Sequence, residues 1–417
     1  MKNILILFFR FSFFHFIYSI IIFPFKTKLI DENLTPESII KNLYFNREII
    51  NLTIGKPIQT IKALLNLENY EFFIIEKKND SNYYNSNYSK NFNMKNKYPL
   101  RFYDSPFDYG IYAEDSILIN LDNESQIINI NFVLAINSTL NDSAYIGLNY
   151  FDSSSDNNNN FFKEINFKLR GKINIATIKY NNDYEGELIF GNFSDMNINN
   201  NNYYSTIVDN KHIYSQGWRI YFESIKFNNE KYNGNNHILF SIENGMIKGP
   251  LELNQIFLKN VFIKNKCNKY ILKSYITFYY CDDDIDYSNF PDIFFYNMEL
   301  NYTFILKKEE LFLKIKNKIY FLIYFTENNH FDNWVLGKPF LKKYQFYFDY
   351  QHLKIGFFKE KKKNNISIKI IVIIVLILII ILLLFLIFKF HYNRKRRRRI
   401  NEVDDNYNYI TSLNIDK

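Results

Sequence analysis

Two short polar segments hold the side chains of this sequence that are best suited to chemistry. The first reads Asn-Leu-Glu-Asn at residues 66–69, and the second reads Ser-Ile-Glu-Asn at residues 241–244. Each segment follows an apolar run, and each places a carboxylate, Glu68 or Glu243, two positions after a polar residue. Carboxylates that are held close together divide the roles of acid and base, because like charges keep one of them protonated. A fold that brought the two segments together would therefore hold such a pair.

The sequence around these segments predicts a mostly β structure. Short apolar runs separated by polar turns recur between residues 44 and 358, and helical periodicity is scarce there. Asn-rich inserts, which we interpret as surface loops, occupy residues 79–97, 152–160 and 195–204. Each half also has a later apolar segment with a glycine, AYIGLNY at 144–150 and WVLGKPF at 334–340. This internal repeat predicts two similar lobes.

The motifs between residues 44 and 359 resemble, in order, those of the pepsin-like aspartic proteases. The segments that carry the resemblance are NLTIGKPIQTIKALLNLENYEFFII, DYGIYAEDSILI, AYIGLNY, GELIFGNFSD, GWRIYFESIKFNNEKY, CDDDIDYSNFPDIFF and NWVLGKPFLKKYQFYFDYQHLKIGFFK. In the first of them, Ile54-Gly55-x-Pro57-x-Gln59 matches the I-G-x-P-x-Q of the family. The resemblance implies a two-lobed pepsin-like fold, with a cleft between the lobes that takes a peptide or protein.

The resemblance also locates the catalytic positions. The family has Asp-Thr-Gly in both lobes, and its two Asp residues share a proton, so that one activates water and the other polarises the peptide carbonyl. Asn66 stands at the first Asp position. Counting back from Gly249-Pro250 places Ser241 at the second, whereas counting forward from Trp218 places Glu243 there. We prefer Ser241, because it pairs with Asn66 under the repeat.

The departures from the family pattern predict a pseudoenzyme. An amide and a hydroxyl cannot replace the two Asp side chains. Tyr103 stands at the position of the flap Tyr, but Asp-Ser-Pro follows it in place of Gly-x-Gly, and no Lys-rich prosegment is evident. We therefore expect a catalytically inactive ectodomain that binds a peptide or protein or serves as a surface module.

Two alternatives remain open. The first is an active endopeptidase with a relocated dyad of Glu68 and Glu243, although the extra methylene of Glu makes the required geometry demanding. We expect these two carboxylates to be exposed to solvent on turns. The second is an adhesion protein with a β sandwich unrelated to pepsin, against which the ordered motifs argue.

The ends of the chain predict a single-pass type I membrane protein of the secretory pathway or plasma membrane. The apolar N-terminus, with Lys2 before it, is typical of a signal peptide, and the alternative is an uncleaved signal anchor. Ile370 to Phe388 is an uninterrupted apolar run that is long enough to span a bilayer. The basic cluster that follows places the C-terminal side in the cytosol. The predicted segments are 1–24 signal peptide, 25–43 short leader, 44–205 N-terminal lobe, 206–359 C-terminal lobe, 360–369 juxtamembrane linker, 370–388 transmembrane helix and 389–417 basic tail.

The remaining chemistry follows from this topology. The only two cysteines, Cys267 and Cys281, are expected to form one disulfide in an oxidising compartment. Lumenal sequons are candidate glycosylation sites, and the ones we single out are Asn79, Asn87, Asn123 and Asn301. Much of the +8 net charge comes from the basic cluster beside the apolar run, so no nucleic-acid partner is expected. No motif predicts a metal or a cofactor.

Overall fold

A computed structural model of the chain describes most of its residues. The described residues are 20–77, 80–96, 98–101, 109–121, 124–136, 142–150, 160–192, 203–207, 217–227, 230–232, 234–243, 245–273, 275–284, 290–326, 333–358 and 375–396. The chain divides into two compact units, residues 1–359 and residues 360–417. Each unit is described by itself.

The first unit is built mainly of strands. In chain order they are β1 (Ile21–Lys26), β2 (Ile49–Ile54), β3 (Gln59–Asn66), β4 (Phe72–Ile75), β5 (Asn93–Met94), β6 (Leu100–Arg101), β7 (Tyr109–Asn120), β8 (Ser125–Ala135), β9 (Ala144–Gly147), β10 (Ile175–Tyr180), β11 (Glu185–Gly191), β12 (Tyr203–Ile207), β13 (Arg219–Tyr221), β14 (Ser224–Phe227), β15 (Glu230–Tyr232), β16 (Asn235–Phe240), β17 (Ile247–Gly249), β18 (Asn268–Leu272), β19 (Ile276–Asp282), β20 (Ile293–Asn297), β21 (Tyr302–Leu306), β22 (Phe312–Ile315), β23 (Lys318–Phe321), β24 (Ile323–Thr326), β25 (Asn333–Leu336), β26 (Phe346–Asp349) and β27 (Lys354–Phe358). The helices are α1 (Pro36–Tyr44), α2 (Phe161–Lys168), α3 (Leu251–Phe257) and α4 (Lys338–Lys343). Shorter helical turns lie at Ser86–Tyr88, Leu258–Phe262 and Lys308–Leu311.

The two halves of this unit repeat one strand arrangement. In the first half, β3 pairs in parallel with β9, β9 pairs antiparallel with β4, and β4 pairs in parallel with β8. The second half repeats this order. Strand β16 pairs in parallel with β25, β25 pairs antiparallel with β17, and β17 pairs in parallel with β24. The predicted mostly β, two-lobed fold is confirmed, and the alternative of an unrelated β sandwich is wrong.

One large sheet links the two halves. Strands β26 and β27 come from the end of the unit, yet β26 pairs with β10 in the sheet that also contains β1, β2 and β3. Strand β12 pairs with β27, and the predicted lobe boundary between residues 205 and 206 falls inside β12. The C-terminal lobe therefore contributes strands to the sheet of the N-terminal lobe.

The predicted leader is integrated into this fold. Strand β1 pairs with β11 and β2, and it alternates buried and exposed residues, so the predicted signal-peptide boundary at residue 24 falls inside a paired strand. Helix α1 begins at a Thr35 N-cap, whose Oγ1 accepts a hydrogen bond from the Ser38 N–H, with Pro36 in the first turn. Its apolar face, Ile39, Ile40 and Leu43, is buried against residues of the second lobe. Burial of each such side chain contributes about 1.5–3 kcal/mol.

The second unit contains α5 (Val375–Arg396). By length and composition this is the one helix in the described part of the chain that could cross a membrane, with a mean hydropathy of 2.8 in its most apolar window. The predicted apolar span, residues 370–388, begins outside the described residues and ends inside this helix. Arg394, Lys395 and Arg396 form its last residues.

Candidate functional site

The two polar segments lie at equivalent places in the two halves. Strand β3 ends at Asn66, whose C=O accepts a hydrogen bond from the Leu148 N–H at 2.7 Å. Strand β16 ends one residue before Ser241, whose N–H donates to the Leu336 C=O at 3.1 Å. Each segment is thus held at the end of a strand by the neighbouring parallel strand.

The first polar residue of each segment forms the same kind of turn. Asn66 Oδ1 accepts hydrogen bonds from the backbone N–H groups of Glu68, at 2.8 Å, and Asn69, at 2.6 Å. Ser241 Oγ accepts one from the Glu243 N–H, at 3.2 Å. A side-chain oxygen that bonds the N–H two positions later is the ordinary Asx or Ser turn. The geometry therefore aligns Ser241 with Asn66, and Glu243 with Glu68.

Both first residues are poorly suited to acid–base catalysis. Asn66 is 8% exposed and Ser241 is fully buried. Neither side chain ionises in the pH range in which a carboxylate dyad works, and the Asn66 oxygen is already occupied by two donors. Asn66 and Ser241 therefore shape the two turns through their side-chain oxygens.

The two carboxylates lie close to each other between the lobes. Glu68 is within hydrogen-bonding reach of the Ser241 hydroxyl, and its charge acts on Glu243. Ser241 Oγ therefore contacts the Glu68 carboxylate and the Glu243 backbone at once. Both glutamates are only partly exposed. The expectation that they are solvent-exposed turn residues is wrong, because the segments meet across the lobe interface.

This environment makes both carboxylates weaker acids. Burial raises the pKa of Glu68, while the Ser241 hydrogen bond and the charges of Arg219 and Lys248 oppose that rise. Burial, followed by the charge of Glu68, raises the pKa of Glu243 to about 7, and Arg47 opposes the rise. Near neutral pH the Glu243 carboxyl group is therefore partly protonated beside Glu68.

Several neighbours of this pair could not be found by motif. Tyr44, at the end of α1, stacks edge to face on Tyr324 with ring centroids 5.0 Å apart. Burial raises the pKa of Tyr324, and the nearby Tyr44, Glu68 and Glu243 raise it further. Arg47 follows α1 and lies 3.9 Å from Asp142. The end of α1 and the residues after it thus add a phenol and a guanidinium to the site, and neither belongs to a segment that the sequence marked as catalytic.

A buried asparagine holds the first segment in place. Asn160 Nδ2 donates to the C=O of Tyr70 and to the C=O of Asn149, each at 3.0 Å. Its Oδ1 accepts from the Lys163 N–H at 3.0 Å and so caps α2. Asn149 in turn donates from Nδ2 to the Glu68 C=O at 2.9 Å. One side chain therefore connects the start of α2 to the loop that carries Glu68.

Replacing Asn160 by Ala is expected to destabilise the fold by about 2 kcal/mol, because it removes a helix cap and leaves buried carbonyl groups without a donor. Urea unfolding followed by circular dichroism measures the change. Asn160→Ser also offers a capping oxygen but lacks the Nδ2 donors, so it should destabilise the fold less than Asn160→Ala does if the cap contributes. Equal stability of Asn160→Ala and the unaltered protein would contradict this role.

The other predicted site residues are distributed as follows. Tyr103, Asn79 and Asn123 lie outside the described residues. Asn87 and Asn301 are exposed, as glycosylation would require. Cys267 and Cys281 form a disulfide, which confirms the predicted pairing. Among the described residues no group of three or more His, Cys, Asp or Glu side chains is arranged to hold a metal ion.

Comparison with known proteins places this geometry in a family. The profile described as "Eukaryotic aspartyl protease" matches residues 49–360. Similar solved structures include basic 7S globulin from soybean, with a TM-score of 0.59 and 12% identity, and conglutin gamma, a basic 7S globulin from lupine seeds, with a TM-score of 0.61 and 13% identity. Each alignment covers 82% of this chain and 96% of the other. No curated protein matches the sequence. The matched profile, the repeated lobes and the paired segments at their interface together make this chain a member of the eukaryotic aspartyl protease family.

Proposed function

We propose that this protein is a type I membrane protein whose pepsin-like ectodomain binds a peptide or protein between its lobes without cleaving it. The observation that carries the proposal is the pair Asn66 and Ser241 at the two positions where the family has Asp. Both side chains are buried, and both are committed to backbone hydrogen bonds of their own turns. A cleft of this family without its dyad keeps the shape that receives a polypeptide and loses the groups that activate water.

The membrane anchor is supported by composition. Helix α5 is long and apolar enough to span a bilayer and ends in Arg394, Lys395 and Arg396. By the positive-inside rule that end is cytosolic, so the ectodomain lies in the lumen or outside the cell. The disulfide Cys267–Cys281 agrees with an oxidising compartment.

The deciding experiment incubates the purified full-length protein with a mixed peptide library from acid to neutral pH, and analyses bound and free peptides by mass spectrometry. We expect peptides to be recovered intact with the protein and no new termini to appear. A family member with both Asp residues, at the same concentration, is the positive control. Cleavage by the unaltered protein that disappears in Glu68→Gln or in Glu243→Gln would contradict the proposal.

A second candidate function is an endopeptidase in which Glu68 and Glu243 replace the dyad. It is favoured by the interaction between these carboxylates and by the pKa of Glu243 near 7, which allows one group to be protonated while the other is ionised. In that case cleavage is expected to fall by at least about 100-fold in Glu68→Gln and in Glu243→Gln, as for loss of a general acid or base. Glu124→Gln, on the exposed turn between β7 and β8, is the matched control.

A further inference from the structure

Helix α5 ends in a run of cations. Arg394, Lys395 and Arg396 are its last residues, and the sequence continues with three more arginines at 397–399. Residues 394–399 are called the basic end below. No Asp or Glu occurs between residues 361 and 401, so the helix and its nearest flanks contain no carboxylate that could pair with these cations. The basic end is therefore available to an anionic partner.

The position of the basic end along α5 sets its level in a bilayer. This step rests on the proposed function, in which α5 spans a membrane. The apolar run ends at Phe388, so Arg394 and Arg396 lie about 9–12 Å beyond it along the helix axis. The headgroup layer on each side of a bilayer is about 5–8 Å thick, and long basic side chains can bend back toward it. Phe390 and Tyr392, which are 71% and 61% exposed, suit the same boundary. The cations are therefore within reach of lipid phosphates.

The cations of the helix point in different directions. Each residue turns by about 100°, so Lys389 and Arg396, seven residues apart, lie on one side, and Arg394 and Lys395 lie on two others. Every residue of α5 is exposed. Lipid headgroups can therefore approach the end of the helix from all sides.

The composition of the basic end favours one kind of headgroup. Five of its six residues are arginine. A guanidinium group forms two parallel hydrogen bonds with one phosphate, whereas the ammonium group of Lys acts as a point charge. A phosphate monoester carries about −1.5 to −2 charges and three acceptor oxygens. Phosphatidylserine carries a phosphodiester and a carboxylate, together with an ammonium group that the cluster repels. Arginine therefore favours a lipid with phosphate monoesters.

We propose that the basic end binds inositol phospholipids that carry phosphate monoesters, and that its guanidinium groups select them over phosphatidylserine. Arg394 and Arg396 hold phosphate oxygens in bidentate contacts, and Lys395 adds charge between them. Binding of this kind retains the protein in membranes whose cytosolic leaflet contains these lipids.

The test reconstitutes the full chain in vesicles of phosphatidylcholine, phosphatidylserine and phosphatidylinositol bisphosphate. Both leaflets have the same composition, so either orientation of the chain exposes the basic end to all three lipids. Alkaline carbonate extraction first shows whether the chain is inserted. A styrene–maleic acid copolymer then excises the protein with the lipid around it, and mass spectrometry compares this lipid with the bulk.

The inositol lipid is expected to be enriched around the protein about three- to tenfold more than phosphatidylserine. The triple variant Arg394→Gln, Lys395→Gln, Arg396→Gln should lower the enrichment of both anionic lipids, because half of the charge of the basic end is lost. A control variant removes the same number of charges from exposed positions of the first unit and should leave both enrichments unchanged. Its substitutions are Lys259→Gln, Lys264→Gln and Lys266→Gln.

Replacing all five arginines of the basic end by Lys keeps its six charges. That variant should retain the enrichment of phosphatidylserine, and its preference for the inositol lipid should fall about two- to threefold, because the bidentate contacts are lost. An inserted chain that enriches the two anionic lipids equally, or enriches neither, would overturn the inference and leave the anchor intact. An undiminished preference in the triple variant or in the five-lysine variant would also overturn it. A chain that carbonate removes from the membrane would overturn the anchor and this inference together.

Discussion

Replacing Lys338 by Met is expected to destabilise the fold by about 3–5 kcal/mol at neutral pH, because it leaves a buried carboxylate without its cation. Glu48 is completely buried, and its Oε1 lies 3.8 Å from Lys338 Nζ and accepts a hydrogen bond from the Tyr180 hydroxyl at 3.0 Å. Lys338 Nζ also donates to Thr27 Oγ1 at 3.2 Å. The pair joins α4 of the second lobe to the segment that precedes β2, so its loss weakens the contact between the lobes.

The pH dependence of that loss identifies its cause. Burial raises the pKa of Glu48, and the charge of Lys338 opposes the rise. Without Lys338 the pKa of Glu48 rises further, so the folded variant holds the Glu48 proton more tightly. The destabilisation caused by Lys338→Met should therefore become smaller as the pH falls. The double variant Lys338→Met with Glu48→Gln should recover much of the stability, because a neutral pair needs no counter-charge. Urea unfolding at pH values from acid to neutral measures all three proteins. A loss of the same size in the single and double variants would show that packing, and not the ion pair, is responsible.

The unaltered protein is expected to lose roughly 3 kcal/mol of stability between about pH 4.5 and pH 7.5, owing to the carboxylate pair. The pKa of Glu243 is raised from 4.5 to about 7 by burial and then by the charge of Glu68. A group with a raised pKa in the folded state binds its proton more tightly when folded. Its contribution is therefore complete below the unfolded pKa and is lost as the pH rises through the folded one. The raised pKa of Glu68 acts in the same direction.

Glu243→Gln should flatten this dependence, since it removes the titrating group and the repulsion on Glu68. The variant and the unaltered protein are expected to be similar in stability near pH 4.5, and the variant to be more stable near pH 8. Glu124→Gln, on an exposed turn, should keep the slope of the unaltered protein. Unfolding midpoints in urea across this pH range provide the measurement, and an unchanged slope in Glu243→Gln would contradict the coupling.

The local sequence was sufficient to predict most of the strands that the notable apolar runs form. The run EFFII became β4, ELIFG lies in β11, and HILFSI contains the end of β16 together with Ser241. These strands could be predicted because a buried strand needs apolar side chains along its own length, whatever it pairs with. Helix α1 carries a local signal as well, with Thr35 and Pro36 before Ile39, Ile40 and Leu43. The sequence predicts a short leader there, because the stretch precedes the first strand that resembles the family, whereas in the structure its buried face is completed by residues of the second lobe.

The sequence by itself determined the family and the repeated lobes, because these follow from residue types in ordered segments. The tertiary structure decided that Glu68 reaches Ser241 in the other lobe, that it acts on Glu243, and that Lys338 lies beside Glu48. The reason is physical. Whether a carboxylate on a turn faces water or another charge depends on how the two lobes pack, and residues so distant in the chain have no local pattern that fixes their separation. The pKa of each glutamate follows from that packing, and so does the chemistry that the cleft can perform.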